Sequence, residues 1–264
     1  MELGFWGWVA NIFVKYWPMF LEGAGVTLLV SITGTVIGFV IGLAVGVIRT
    51  IPLDSKSSPV KRFFVKIFNF LLVAYIEIFR GTPMIVQAMV IFYGFAFITG
   101  IALNRIIAGI VIVSINTGAY MAEIVRGGIL SIDKGQFEAA HSIGMTHNQT
   151  MMSIVLPQAI RNILPATGNE FVINIKDTSV LNVIAVTELF FQSKTAAGNS
   201  YQYFPVFFIT CVLYFIMTFT VTRILRLIER RMDGPKTFTI HGSQTVPEAE
   251  IKITNDGEKK RWIR

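Results

Sequence analysis

Charge is scarce in this sequence: only 15% of its 264 residues are Asp, Glu, Lys or Arg, while 53% are apolar. A soluble domain carries about 25% charged residues. The mean hydropathy is +0.61, and the deficit is concentrated in runs. Gly23–Ile48 contains no charge, a stretch longer than the roughly 20 residues a spanning helix needs. One cysteine, Cys211, excludes an intrachain disulfide framework and a Cys-based metal site. The three histidines, His141, His147 and His241, lack metal-ligand spacing. No G-x-x-x-x-G-K-S/T loop occurs, which excludes P-loop nucleotide binding, and no catalytic dyad is recognisable. The chain is therefore expected to be no enzyme and to hold no cofactor, with any ATP-driven work done by a partner. The net charge of +7 points to no nucleic acid, because Lys and Arg sit in loops beside apolar runs, as a membrane topology requires.

What is present reads as a series of spans. Residues 1–20 hold Phe5, Trp6, Trp8, Phe13, Tyr16 and Trp17 but lack the basic start and small-residue cleavage site of a secretory signal. Dense aromatics beside a span predict an interfacial segment at the lipid headgroups, or else a short packing helix. The first span is expected over about Gly25–Ile48, where Gly34, Gly38, Gly42 and Gly46 recur every fourth residue. Such a stripe lets two helix backbones approach closely in lipid. The loop holding Arg49, Lys56, Lys61, Arg62 and Lys66 is placed in the cytosol.

Between that loop and the basic loop at Arg126, Lys134 and Arg161, only an even number of crossings fits. Phe63–Ile98 is therefore expected to be one span, broken at Arg80-Gly81-Thr82-Pro83. Pro83 has no N–H to donate and biases Thr82 away from helix. Backbone groups freed near mid-membrane are tolerated only against protein or a water-filled cavity, and Glu77, Arg80, Thr82 and Gln87 surround the break. They read either as a substrate path, by analogy with the discontinuous helices of many secondary transporters, or as a kink in which Glu77 and Arg80 neutralise each other.

The next span, about Ile106–Met121, leads into a face shared by Asn116, Tyr120 and Glu123. A polar stripe on an apolar span faces the bundle interior, to line a path or to bond helix to helix; Glu123 and Arg126 are spaced for a local ion pair. A fourth span, about Ile163–Val186, contains Glu170, Asn174, Lys176 and Asp177, with Glu170, Asn174 and Asp177 on one face. Each charge at a helix centre costs roughly 2.5–3.5 kcal/mol, which favours a functional role. The last span, about Tyr203–Ile224, ends in Arg223, Arg226, Arg230 and Arg231.

These readings give an all-α, polytopic membrane protein with about five transmembrane helices, N-out and C-in. Of 23 Lys and Arg, 18 then fall inside, three outside (Lys15, Arg105, Lys194) and two within spans (Arg80, Lys176). Its parts are an N-terminal segment (1–20), a membrane domain (21–231) and a polar tail (232–264), the tail expected to be cytosolic and disordered.

The loop 131–157 carries the most specific signal. Ser131–Ile143 predicts a short amphipathic helix with Ile132, Phe137 and Ala140 on its apolar side, and Gly144 supplies a turn that a Cβ would penalise. Glu138, Ala139, Ala140, Gly144, Ile154, Leu156 and Pro157 fill every position of the pattern Glu-Ala-Ala, three residues, Gly, nine residues, Ile, one residue, Leu-Pro. In this the loop resembles the EAA signature of ABC importer permeases. Three further stretches resemble the polar amino-acid branch of that family, the His/Glu/Gln/Arg/opine-type importers: FRGTPMIVQ (Phe79–Gln87), TGAYMAEIVRGGI (Thr117–Ile129) and NIKDTSVLNVI (Asn174–Ile184).

The resemblance covers about Gly23–Arg230. It implies a type I importer permease fold in a bacterial-type inner membrane and a dimer with a second permease subunit, identical or different. It implies two ATPase subunits, binding ATP and Mg, docked on the loop through Glu138, Ala139, Ala140 and Gly144. It also implies an extracytoplasmic solute-binding protein that delivers a polar amino acid. The path candidates are Glu77, Arg80, Thr82, Gln87, Asn116, Tyr120, Glu123, Glu170, Asn174 and Asp177. Chemically, Arg80, Lys176 or free backbone N–H groups suit the substrate carboxylate, and Glu77, Glu123, Glu170 or Asp177 its ammonium group. Competing readings are a permease for a metal, phosphate or methionine-like solute, and a secondary carrier or channel that works without ATP, which leaves the EAA pattern unexplained.

Overall fold

The computed structural model describes residues 4–50, 58–232, 237–241 and 250–254. The first helix, α1 (Phe5–Thr50), runs unbroken for 46 residues, about 69 Å at the α-helical rise against a hydrocarbon core of roughly 30 Å. The segment 1–20 and the expected first span therefore share one helix with no break between them. Ile12, Tyr16 and Phe20 are buried against Leu189, Ala196, Ala197, Val206 and Ile209, so protein contacts hold one face of the aromatic stretch in helix. Trp6, Phe13 and Trp17 remain exposed.

Helices α2 (Pro59–Gly81) and α3 (Met84–Thr99) follow. They meet at 114°, with Pro83 in the extended conformation at φ −64°, ψ 135°. The break falls where the proline demands it. Its sharpness makes an elbow of the broken span expected over Phe63–Ile98. Helix α4 (Arg105–Leu130) is capped by Asn104, whose Oδ1 accepts from the amides of Ile106 (3.0 Å) and Ile107 (3.2 Å).

Two short helices, α5 (Lys134–Ser142) and α6 (His147–Thr150), precede a π-helical turn (Met151–Val155) and α7 (Leu156–Asp177). A 3-10 stretch (Thr178–Ile184) then leads to α8 (Leu189–Ser200) and the long α9 (Tyr203–Met232).

Among the described residues, α1, α4 and α9 are long and apolar enough to cross a membrane, and the α2–α3 elbow raises the number to four. The expected fourth span falls on α7, which Arg161, Glu170, Lys176 and Asp177 make more polar than those helices.

The centre of the fold is the α1–α4 pair. A Cβ added at Gly34, Gly38, Gly42 or Gly46 would lie 2.5 Å from Val113, 2.7 Å from Thr117, 2.2 Å from Met121 or 2.7 Å from Val125 respectively. Each approach is closer than van der Waals contact allows, so the glycine stripe is the seam on which α4 lies. A second cluster, including Val30, Ala88, Ile112, Val113, Leu181 and Ile184, ties α3 and the 3-10 stretch to that pair. A third joins Val125 and Ile129 of α4 to Met151, Val155, Ala159 and Ile163, which seats the loop under the bundle.

In the tail, β1 (Thr237–His241) pairs antiparallel with β2 (Glu250–Thr254), Thr239 opposite Lys252. Phe238 and Ile240, like Ile251 and Ile253, alternate with polar residues at the period of a strand. The charged end, Glu258–Arg264, and Lys56 of the first basic loop lie outside the described residues.

Candidate functional site

The elbow between α2 and α3 is held by side chains that replace backbone bonds. In a continuous helix the carbonyl of Phe79 would accept from the amide four residues on. That residue is Pro83, which has none. Gln87 fills the vacancy: its Nε2 lies 2.9 Å from the carbonyls of Phe79 and Thr82 and 2.9 Å from the Thr82 hydroxyl. Asn116 of α4 donates to the Phe79 carbonyl (3.3 Å) and to Gln87 Oε1 (2.9 Å). Thr82 donates in turn to Ile78 (2.7 Å). Gln87 is only 6% exposed, so an unmet amide there would be costly. Thr82, Gln87 and Asn116 thus form one network.

Arg80 and Tyr120 meet beside it. The guanidinium of Arg80 stacks over the Tyr120 ring at 5.4 Å, an attraction between cation and ring quadrupole. Arg80 and Glu77 are both exposed. The ion pairs of Glu123, with Arg49 and Arg126, involve neither of them, and Glu77 and Arg80 do not neutralise each other.

The other polar faces resolve differently. Glu123 receives Arg126 (2.9 and 3.1 Å), as the spacing predicts, and also Arg49 of α1. Asn174 is buried, donating to Thr35 (2.8 Å) and Thr117 (3.0 Å), which binds α7 to α1 and α4 at once. Glu170 is buried at 4% exposure. Asp177, at the end of α7, is exposed, as is Lys176 beside it.

The loop is built from local capping. Asp133 Oδ1 accepts from the Gly135 amide (2.6 Å) and starts α5. Ala140 turns inward at 1% exposure, whereas Glu138 and Ala139 face outward. Gly144 has φ +82°, a conformation that costs an L-residue energy, and its hydrogens face open space. Thr146 and Gln149 then form a capping box that opens α6. From His147 the chain stays helical through the π turn into α7. Pro157, near the start of α7, offers no amide to Ser153, and the π turn immediately before it is where the ladder is re-registered.

Residues 38–234 match the family of binding-protein-dependent transport system inner membrane components. The chain belongs to this family. As a member it is an inner-membrane component of a transport system, the class the loop resembles. It is 38% identical over 216 residues to the glutamine transport system permease protein GlnP of Escherichia coli (strain K12), covering 81% of this chain and 93% of that one. With the L-cystine transport system permease protein TcyB of Bacillus subtilis (strain 168) it shares 35% over 221 residues, 83% and 88% of the two chains. A solved amino acid ABC transporter, crystallised with histidines, superposes with a TM-score of 0.74 at 36% identity, covering 88% of this permease and all of that chain. The inward-facing MetNI methionine ABC transporter shares the fold, at a TM-score of 0.68 and 22% identity.

One buried acid of this permease escapes sequence reasoning. Glu188 has no exposed surface; its carboxylate accepts from the amides of Phe190 (2.8 Å) and Phe191 (2.7 Å) and from the Tyr214 hydroxyl (3.0 Å). The next amide, Leu189, donates to Thr27 of α1 (3.2 Å), so this one turn fastens α8 to α1 and α9. Burial raises the Glu188 carboxyl above its ordinary range, and the two amides and the hydroxyl pull it back. Its position before Leu189-Phe190-Phe191 is a helix start, but Glu is not among the favoured N-cap residues, so the signal is weak.

Proposed function

We propose that this chain is the permease subunit of an ATP-driven importer for a polar amino acid. It works with a second permease subunit, two ATPases docked on the loop 131–157 and an extracytoplasmic solute-binding protein. The relatives named for glutamine, cystine and amino-acid transport support the substrate class. The ATPases bind ATP and Mg and hydrolyse the nucleotide, and the permease supplies the path and the lever. Five crossings, N-out and C-in, keep the loop on the ATPase side.

The observation that carries the substrate reading is Arg80. It is a cation at a helix break, stacked on Tyr120 and exposed, with no acid of its own chain paired to it among the described residues. An uncompensated cation within an apolar span is expensive, and an amino-acid carboxylate supplies the missing charge. Glu77, on the same helix and exposed, takes the ammonium group, with Asp177 placed at the end of α7 to receive a second cation. Gln87, Asn116 and Asn174 hold the walls of the path, Glu170 lies along it, and Glu123 keeps its helices together.

The test is uptake of labelled glutamine, arginine, histidine and cystine into vesicles holding the whole complex. Arg80→Gln is expected to remove uptake of every carried amino acid while the complex still assembles and hydrolyses ATP. Full uptake by that variant would refute the assignment.

A further inference from the structure

Gln87 and Asn116 do more than close a gap in hydrogen bonding. The Phe79 carbonyl orphaned by Pro83 is shared between them, and they bond each other at 2.9 Å. Through that pair the elbow is tied to α4 rather than to its own helices alone. Helix α4 continues from Asn116 to Leu130, where the loop begins, so about 21 Å of unbroken helix lies between pair and loop. Its far end is clamped to the loop's helices through Val125, Ile129, Met151 and Val155, and its middle is seated on the α1 glycine stripe. Arg80, three residues before Pro83, stacks on Tyr120, one turn along α4 from Asn116. A shift of α4 relative to α2 and α3 therefore reaches the orphaned Phe79 carbonyl through the Gln87–Asn116 pair, while the Tyr75 hydroxyl, donating to the Ile115 carbonyl at 2.6 Å, ties the body of α2 to α4.

We propose that the Gln87–Asn116 pair is the joint that makes the elbow, and with it the placement of Arg80, follow movement of the loop 131–157. Gln87 and Asn116 are positioning residues in this scheme, acting on the site through the Phe79 and Thr82 carbonyls. The inference rests on the proposed function, because it needs a loop that moves with nucleotide. It assigns to α4 the role of a push-rod and to this pair the role of its pin.

The experiment uses the assembled complex of permease, ATPases and binding protein in lipid vesicles, with the variants Asn116→Leu, Asn116→Asp and Gln87→Met and the double variant Gln87→Met/Asn116→Leu. Asn116→Asp keeps the shape and removes the donor, so it reports even if the apolar variants assemble poorly. Each single variant is expected to lower amino acid imported per ATP hydrolysed about tenfold, the factor set by losing one buried hydrogen-bonded pair, with ATP hydrolysis itself roughly unchanged. The double variant is expected to be no worse than either single one, as for residues acting as a unit. Hydrogen exchange separates a joint from a mere structural staple. In the wild-type complex, adding nucleotide is expected to change exchange at both 131–157 and 78–88. In Asn116→Asp the response at 131–157 persists and that at 78–88 is lost. A variant in which 78–88 still responds as in wild type, or in which import per ATP is unchanged, overturns the joint. A wild-type complex whose 131–157 segment ignores nucleotide overturns the underlying reading and the joint with it.

Discussion

Replacing Gly144 by Ala isolates the turn between α5 and α6. The residue sits at φ +82°, and a Cβ there would meet nothing within 4 Å. Steric overlap with neighbours is therefore absent, and the whole cost is backbone strain of about 1–2 kcal/mol for an L-residue in this region. In the free permease the exposed loop can relax and shed that strain, so the melting temperature of the bundle should not move. On docking to an ATPase the turn must be restored, and the strain is subtracted from the docking free energy. That predicts about 5- to 30-fold weaker binding. The assay is the dissociation constant of the purified ATPase for the permease in lipid nanodiscs, alongside thermal unfolding of the permease alone. Gly127→Ala is the control, since its Cβ also meets nothing within 4 Å but lies inside α4 with ordinary helical backbone. A Gly144→Ala variant that binds the ATPase as tightly as wild type would show that docking does not need this turn.

Other consequences follow from the same geometry. Gly42→Ala places a methyl 2.2 Å from Met121 Cβ and 2.8 Å from the Ala122 backbone nitrogen. Overpacking of this kind costs about 1–3 kcal/mol, or about 2–12 °C in melting temperature, whereas Gly25→Ala, which meets open space, should not lower the melting temperature and should raise it slightly, Ala being the better helix former. Glu188→Ala strips the cap from α8 and should cost at least about 0.5–2 kcal/mol by thermal unfolding. Glu188→Gln, which keeps one acceptor oxygen, should lose less, and equal losses would mean the hydrogen bonds are not what matters. Asp177→Asn and Glu170→Gln are expected to abolish substrate-stimulated uptake with ATPase assembly intact; uptake at the wild-type rate would remove both from the path.

The features legible in the sequence are those written in local chemistry. Pro83 marks the elbow because the absent N–H is a property of one residue, and the stripe Gly34–Gly46 marks the α1–α4 seam because the period itself encodes a face. Gly144 announces its turn for the same reason. The 114° angle of the elbow is not legible, since the side chains that bridge it to α4, Gln87 and Asn116, lie 29 positions apart. Arg49 and Glu123, 74 positions apart, meet only because the glycine stripe brings α1 onto α4. The polar stripes on α4 and α7 do face inward at Asn116 and Asn174, as their spacing implies. What they face, other side chains of the same chain, depends on tertiary register that periodicity does not carry. The unbroken α1 is missed because the aromatics of residues 1–20 and the charge-free run from Gly23 read as two segments, while contacts from α8 and α9 pack along the one helix.

Whether ATP drives polar amino acids along this chain is tested by measuring uptake and hydrolysis together in the same vesicles. With ATPases and binding protein present, labelled amino acid should accumulate against its gradient only while ATP is hydrolysed, and Arg80→Gln should stop accumulation but not hydrolysis. Accumulation that continues after ATP is exhausted would contradict the account and point instead to a carrier that works without it.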